Sequence, residues 1–269
     1  MTRVAASLSI LRRYDDEMRR DPPQAPGTRI ERTGFVIRER GPHNLILSWS
    51  FTAAQTAPIV AAEAAFFRAL GEDVEWKLYA HDAPANLAEA LAAHGFAPDE
   101  EETLLALDLT RATFDAVSAA ADLEIRRVRD AQELRTYASV TAHAFGREPT
   151  SSIESLAARI FGEAPDTLAF VAFVRGEAAA AGRLELPPGR SFAQLWGGGT
   201  DAPYRARGVY RRLVAERARI ARARGYRYAT VDARETSRPI LERLGFTALT
   251  TVRGWNLVTR PVAESSGDA

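Results

Sequence analysis

The chain has 269 residues, 46% of them hydrophobic and 26% charged, which is enough for one large core or two of ordinary domain size. Its 35 Lys/Arg balance 35 Asp/Glu, whereas nucleic-acid-binding domains carry a basic excess, and the absence of cysteine excludes disulfides, thiolate metal ligands and a cysteine nucleophile. No apolar run approaches the ~20 residues that span a bilayer, and Met1 to Ile10 lacks the apolar core of a signal segment, so a cytoplasmic protein without membrane contact is expected.

Residues 1–20 form an amphipathic helical pattern with Leu8, Leu11 and Met18 apolar, ended by the breakers Asp21-Pro22-Pro23 and Pro26-Gly27. Thr28 to Arg40 and Asn44 to Phe51 read as two strands around Gly41-Pro42, the second with Leu45, Leu47 and Trp49 alternating. A helix over Thr56 to Leu70 stops at Gly71. Then come a strand at Val74 to Ala80, a proline-started helix at Pro84 to His94 and a strand at Thr103 to Leu109.

The second half opens with a strand at Leu123 to Val128. Helices follow at Ala131 to Phe145 and at Ser152 to Phe161, where Ile153, Leu156, Ala157 and Ile160 recur at helical spacing. Thr167 to Val174 and Ala178 to Leu186 pair as strands across Arg175-Gly176, and Ser191 to Thr200 is a third strand. A long helix reaches about Arg224, with Arg217 intruding on its apolar face. After it come a strand at Tyr226 to Ala233, a short helix at Thr236 to Leu244, and one or two closing strands over Phe246 to Val258. The polar residues 263–269 are expected to be a mobile tail.

Charge divides unevenly: residues 1–110 carry 11 Lys/Arg against 17 Asp/Glu, and the excess of cations lies in the remainder. That basic part holds the most informative stretch, Gly197-Gly198-Gly199-Thr200 followed by Asp201-Ala202-Pro203-Tyr204-Arg205-Ala206-Arg207-Gly208-Val209-Tyr210-Arg211. It reads as a strand ending in glycines, a basic turn and a helix start, whose first N–H groups and dipole suit a phosphate.

Arg205-x-x-Gly208-x-Tyr210 resembles the pyrophosphate loop of the GNAT N-acyltransferase superfamily, usually Arg/Gln-x-x-Gly-x-Gly/Ala, with Tyr210 replacing the last small residue. The order β α α β β β α β α β and the Leu244-Gly245-Phe246 junction extend the resemblance over about residues 120–260. A weaker echo, Leu70-Gly71, a proline-started helix and His94-Gly95-Phe96, makes the first half similar to a second, eroded unit. That half has no loop, since Phe51 to Pro58 holds neither glycine nor arginine. The expected architecture is therefore α/β (α+β): two GNAT-like mixed-sheet units, a degenerate one at 1–115 and one at 120–262 carrying the acyl-CoA loop.

The resemblance implies acetyl-CoA as acyl donor, a small amine as acceptor, and no metal; a homodimer is left open. It places pantetheine along Gly198, Gly199 and Thr200. The pyrophosphate falls on the amides from Arg207 to Arg211, with charge from Arg205 and Arg207, and the 3′-phosphate near Arg211, Arg212 or Arg238. The tyrosine that protonates the leaving thiolate in many relatives aligns with Leu241, and an asparagine aligns with Arg234. Tyr210 is a substitute acid or a packing residue. Glu185 and Asp232 are the candidate bases, with His143 behind them and His81 and His94 lower still. No Ser-His-Asp, metal-ligand or Walker pattern is present. The competing reading is a catalytically silent acyl-CoA-binding sensor or scaffold.

Overall fold

The computed structural model describes residues 3–114, 122–146 and 153–259; the expected tail lies outside them. In chain order the helices are α1 (Arg3–Tyr14), α2 (Thr56–Leu70), α3 (Leu87–Ala93), α4 (Ala131–Phe145), α5 (Ile153–Phe161), α6 (Val209–Ala223) and α7 (Arg238–Arg243). The strands begin with β1 (Arg29–Arg32), β2 (Val36–Arg40), β3 (Asn44–Trp49), β4 (Val74–Tyr79), β5 (Ala97–Asp108) and β6 (Leu123–Arg127). They continue with β7 (Thr167–Val174), β8 (Glu177–Glu185), β9 (Phe192–Thr200), β10 (Tyr228–Ala233) and β11 (Thr247–Leu257). No helix among the described residues is long and apolar enough to cross a membrane.

The chain forms two compact units, and they are not the consecutive parts expected from the sequence. The larger comprises Met1–Arg29 with Glu102–Thr251; the smaller comprises Ile30–Glu101 with Val252–Ala269. The expected division at 115–120 therefore gives way to one in which the chain crosses between units within β5 and within β11. An amphipathic pattern tells which face of an element is buried, and leaves open which sheet that face or strand edge meets.

In the larger unit, β5 pairs antiparallel with β10 through Asp108↔Tyr228 to Thr103↔Ala233, and β10 runs parallel to β9. Antiparallel β8, β7 and β6 complete the sheet. β7 is buried almost throughout, as a strand covered on both faces must be. One cover is α6, which buries Leu213, Val214, Ala218 and Ala221 in a core with Leu184, Leu107 and Phe246. A second cluster joins Leu134, Tyr137 and Val140 of α4 to Leu156 and Ile160 of α5 and to Val171 and Ala181 of the sheet. Asp130 caps α4 by accepting from the Gln132 and Glu133 amides.

α1 belongs to this unit. Tyr14 meets Phe192 edge-on with ring centroids 5.4 Å apart. The Glu17 carboxylate accepts from the Ser191 amide at 2.6 Å and from its hydroxyl at 2.9 Å, anchoring the entrance of β9. The expected 1–20 helix continues past Tyr14 only as a π-helical turn over Asp15–Arg20.

In the smaller unit, β2 and β3 are antiparallel, β3 and β4 parallel, and β4 and β11 antiparallel through Val74↔Leu257 to Tyr79↔Val252. Its core holds Val60, Phe67, Trp76, Leu91, Phe96 and Trp255. The single strand expected over Thr28 to Arg40 is two, because the Thr33 hydroxyl accepts from the Phe35 and Val36 amides and turns the chain.

Candidate functional site

The site lies in the larger unit, where β9 leaves its neighbours. The parallel ladder with β10 runs through Phe192↔Tyr228, Ala193↔Ala229 and Gln194↔Thr230, and ends there although β9 continues to Thr200. On the other side, Ala181 pairs with Gly199 and Arg183 with Trp196, so Gly182 faces two residues, Gly197 and Gly198. This is a β-bulge, and Gly197 has φ of 56°, a left-handed conformation that favours glycine.

Protein packs closely on both faces of the glycine run. A Cβ at Gly198 would stand 3.0 Å from Nη2 of Arg217 and 3.1 Å from the Tyr210 ring. One at Gly199 would stand 2.7 Å from Cβ of Ala144. A Cβ at Gly197 would meet the Tyr137 hydroxyl at 3.1 Å, and that buried hydroxyl has no hydrogen-bond partner among the described residues. The bulge thus sits between α4 on one face and α6 on the other. Thr200 Oγ1 is likewise buried without a partner among the described residues.

Beyond Thr200 the Asp201 carboxylate accepts from the Ala202 amide and starts a short 3₁₀ turn, Ala202–Tyr204. Ala206 and Gly208 have φ of 61° and 78°. Gly208 is the residue before α6, and its carbonyl receives the Arg212 amide at 3.1 Å. The preceding amides, of Val209, Tyr210 and Arg211, are the first-turn donors that an α-helix leaves without an internal acceptor. Together with the helix dipole they leave a positive end at the turn to which the sequence assigns a phosphate.

The arginines of this region differ in what they contact. Arg205 is turned back on the protein: Nε donates to the Thr200 carbonyl at 3.1 Å and Nη2 to the Ala144 carbonyl at 3.3 Å, stapling the loop to β9 and the end of α4. Arg207 is exposed, with its guanidinium carbon 5.7 Å from the centroid of the Tyr204 ring, whose hydroxyl donates to Glu177. Arg211 is exposed on the first turn of α6. Arg238 is engaged with Glu242 at 2.9 Å and Glu235 at 3.6 Å.

Of the candidate bases, Glu185 is committed elsewhere. Its Oε1 accepts from Arg183 Nε at 2.8 Å and Arg159 Nη1 at 3.1 Å, and Asp166 holds the other side of Arg159. Burial alone would raise the Glu185 pKa, but the charges and hydrogen bonds of the two guanidiniums outweigh it and hold the carboxyl below its usual range. A carboxylate so stabilised is a poor proton acceptor, which argues against Glu185 as the base. Asp232 stands on β10 past the point where that strand parts from β9, opposite Leu104 of β5. His143 is exposed near the end of α4.

Leu241 is fully buried in the core of the larger unit, so its position supplies no hydroxyl. The Tyr210 ring packs on Gly198, its hydroxyl shares a hydrogen bond with Ser237, and enclosure raises its pKa, with Arg217 and Ser237 acting in the opposite direction. Packing is thus its visible role. No pattern in the sequence points to Tyr137, whereas Arg217 stands out there as a charge on an apolar helix face. Among the described residues no group of three or more His, Asp or Glu is arranged to hold a metal ion.

The opened, bulged sheet that runs through a basic turn into a helix start belongs to a fold shared with GCN5-related N-acetyltransferases of known structure. The chain is similar along most of its length to a GCN5-related N-acetyltransferase from Kribbella flavida, at 16% identity, a TM-score of 0.65 and 94% coverage of each chain. It is also similar to one from Sphaerobacter thermophilus, at 14% identity and a TM-score of 0.64, covering 94% of this chain and 85% of that one. A tandem GNAT protein from the clavulanic acid biosynthesis pathway matches at 15% identity and a TM-score of 0.57, covering 96% of this chain and 95% of that one. No curated protein matches the sequence. Residues 133–246 match the model of the Acetyltransferase (GNAT) family.

Proposed function

We propose that the larger unit is an acyl-CoA-dependent N-acyltransferase that moves an acetyl group from acetyl-CoA to a small amine by direct attack in a ternary complex. The observation that carries this reading is the continuity of the opened, bulged end of β9 with the turn and free amides at the start of α6. Pantetheine lies along Gly198 to Thr200 and the pyrophosphate on the amides of Val209, Tyr210 and Arg211, with Arg207 and Arg211 contributing charge. Arg205 contributes by fixing the loop.

In the reaction the amine nitrogen attacks the thioester carbonyl carbon, the C–S bond breaks, and CoA leaves as thiolate. A free thiol has a pKa of about 8.5, so near neutral pH departure without an acid is tolerable, in keeping with Leu241. The ammonium proton must be removed first, and Asp232 is the base we assign. Calorimetry with acetyl-CoA, followed by thiol release with an amine panel at pH 6–9, tests the proposal. Micromolar binding with turnover supports it; no binding by folded protein ends it.

The second reading, a silent acyl-CoA binder, is favoured by the buried Leu241 and the engaged Glu185. Binding without transfer to any amine would establish it in place of the first.

A further inference from the structure

Arg217 stands on the buried face of α6 among alanine and leucine and is 1% exposed, with no carboxylate in salt-bridge range among the described residues. Burial lowers its pKa, though a guanidinium stays protonated all the same. Its hydrogen bonds go to carbonyls. Nε donates to Leu213 at 3.2 Å, and Nη1 donates to Arg183 at 3.0 Å and to Trp196 at 3.3 Å. The last two residues are the register pair that flanks the bulge. The neighbouring strands make space for this group: a Cβ at Gly182 would lie 2.8 Å from Nη1, and one at Gly198 3.0 Å from Nη2.

A buried cation without a counter-ion is costly, and a methionine or leucine would suit this helix face better. The chemistry of the bulge accounts for its presence. The Trp196 carbonyl and the Gly197 N–H are opposite ends of one planar trans peptide and point in opposite directions. A cation drawing on the carbonyl fixes that plane and polarises the peptide, which strengthens the N–H as a donor.

We propose that Arg217 is a positioning residue for acyl transfer, holding the Trp196–Gly197 peptide so that the Gly197 N–H meets the acyl carbonyl oxygen; this rests on the acyltransferase reading above. As the amine nitrogen bonds to the carbonyl carbon, the π pair moves onto that oxygen and the N–H stabilises it. The pair returns as the C–S bond breaks and the thiolate departs, and the second proton, which the nitrogen sheds as the amide forms, passes to water.

The test uses the full chain with Arg217→Met and Arg217→Lys, the second keeping the charge on a side chain that ends a bond short of the Nη1 position and lacks the Nε donor to Leu213. Isotope-edited infrared spectra of bound acetyl-CoA, labelled with ¹³C at the acetyl carbonyl, report the polarisation. The wild type should lower the carbonyl stretching frequency relative to free acetyl-CoA, and both variants should lose at least about half of that shift. kcat should fall at least about tenfold, since backbone and side-chain donors to a developing oxyanion act at this level or above. Affinity for CoA itself should stay within about twofold, and Arg217→Met should melt no lower than the wild type. If Arg217→Met does not fold, Arg217→Lys carries the same comparison. An unchanged carbonyl frequency and a kcat within about twofold of wild type in the folded variant overturn this inference while leaving the acyltransferase intact. Absence of acetyl-CoA binding by the wild type overturns both.

Discussion

Glu185 meets Arg159 and Arg183 in a buried network, and what surrounds the carboxylate decides its chemistry more than its place on a strand does. Its pKa is depressed on folding, so its contribution to stability is fully present above the unfolded value, about 4.3, and is lost as pH falls through the lower folded value. Glu185→Gln should cost about 3 kcal/mol at pH 7, because it leaves buried guanidiniums undercompensated, and should flatten the acid limb of the stability profile. Urea melts between pH 3 and pH 7 measure both; a loss under about 1 kcal/mol would mean the network is solvated. Leu241→Tyr is a related case. The site is fully buried, so overpacking should cost about 1–3 kcal/mol with no gain in kcat, seen by thermal melts beside steady-state rates. At this scale the sequence was legible by residue type and silent about direction: three glycines in a row mark close approach, yet Arg217, Tyr210 and Ala144 occupy much of the space.

Elements were far more legible, wherever a local stop signal coincided with the end of a hydrophobic period. α2 ends where Gly71 adopts φ of 63°, and α4 where Gly146 adopts φ of 65°. Thr33 escaped notice because an isolated threonine turn has no such signal within a run of strand-forming residues. The loop before α6 was readable for the same local reason, with Gly208 at φ of 78° and the first amides of the helix left without internal acceptors. Gly208→Asp would place a Cβ at a left-handed position and a negative charge beside those amides. Acetyl-CoA affinity should fall at least about tenfold, some 1.4 kcal/mol. Calorimetry on folded protein checks it, and an unchanged affinity would remove the pyrophosphate from this helix start.

The division of the whole molecule was the part hidden from the sequence, because strand pairing is set by partners distant in the chain. Two predictions belong here. A titration with acetyl-CoA should saturate at one equivalent per chain. In the smaller unit, Pro58 removes one first-turn donor of α2, and the turn before it is occupied by the Thr52–Gln55 capping box. Saturation at two equivalents would contradict this. The second concerns residues 1–115, which the chain order presents as a domain. Such a fragment would lack Val252–Leu257, the antiparallel partner of β4, and with it Trp255 and Leu257 of the core around Trp76, Phe67 and Phe96. It would also carry α1 without Phe192 and Ser191, on which Tyr14 and Glu17 are anchored. An unpaired strand edge and an opened aromatic core both favour association over folding. The fragment should therefore show no cooperative thermal transition and should bind a hydrophobic dye, whereas the full chain melts cooperatively. A sharp, reversible melt of the fragment would mean that β11 is dispensable to the smaller unit.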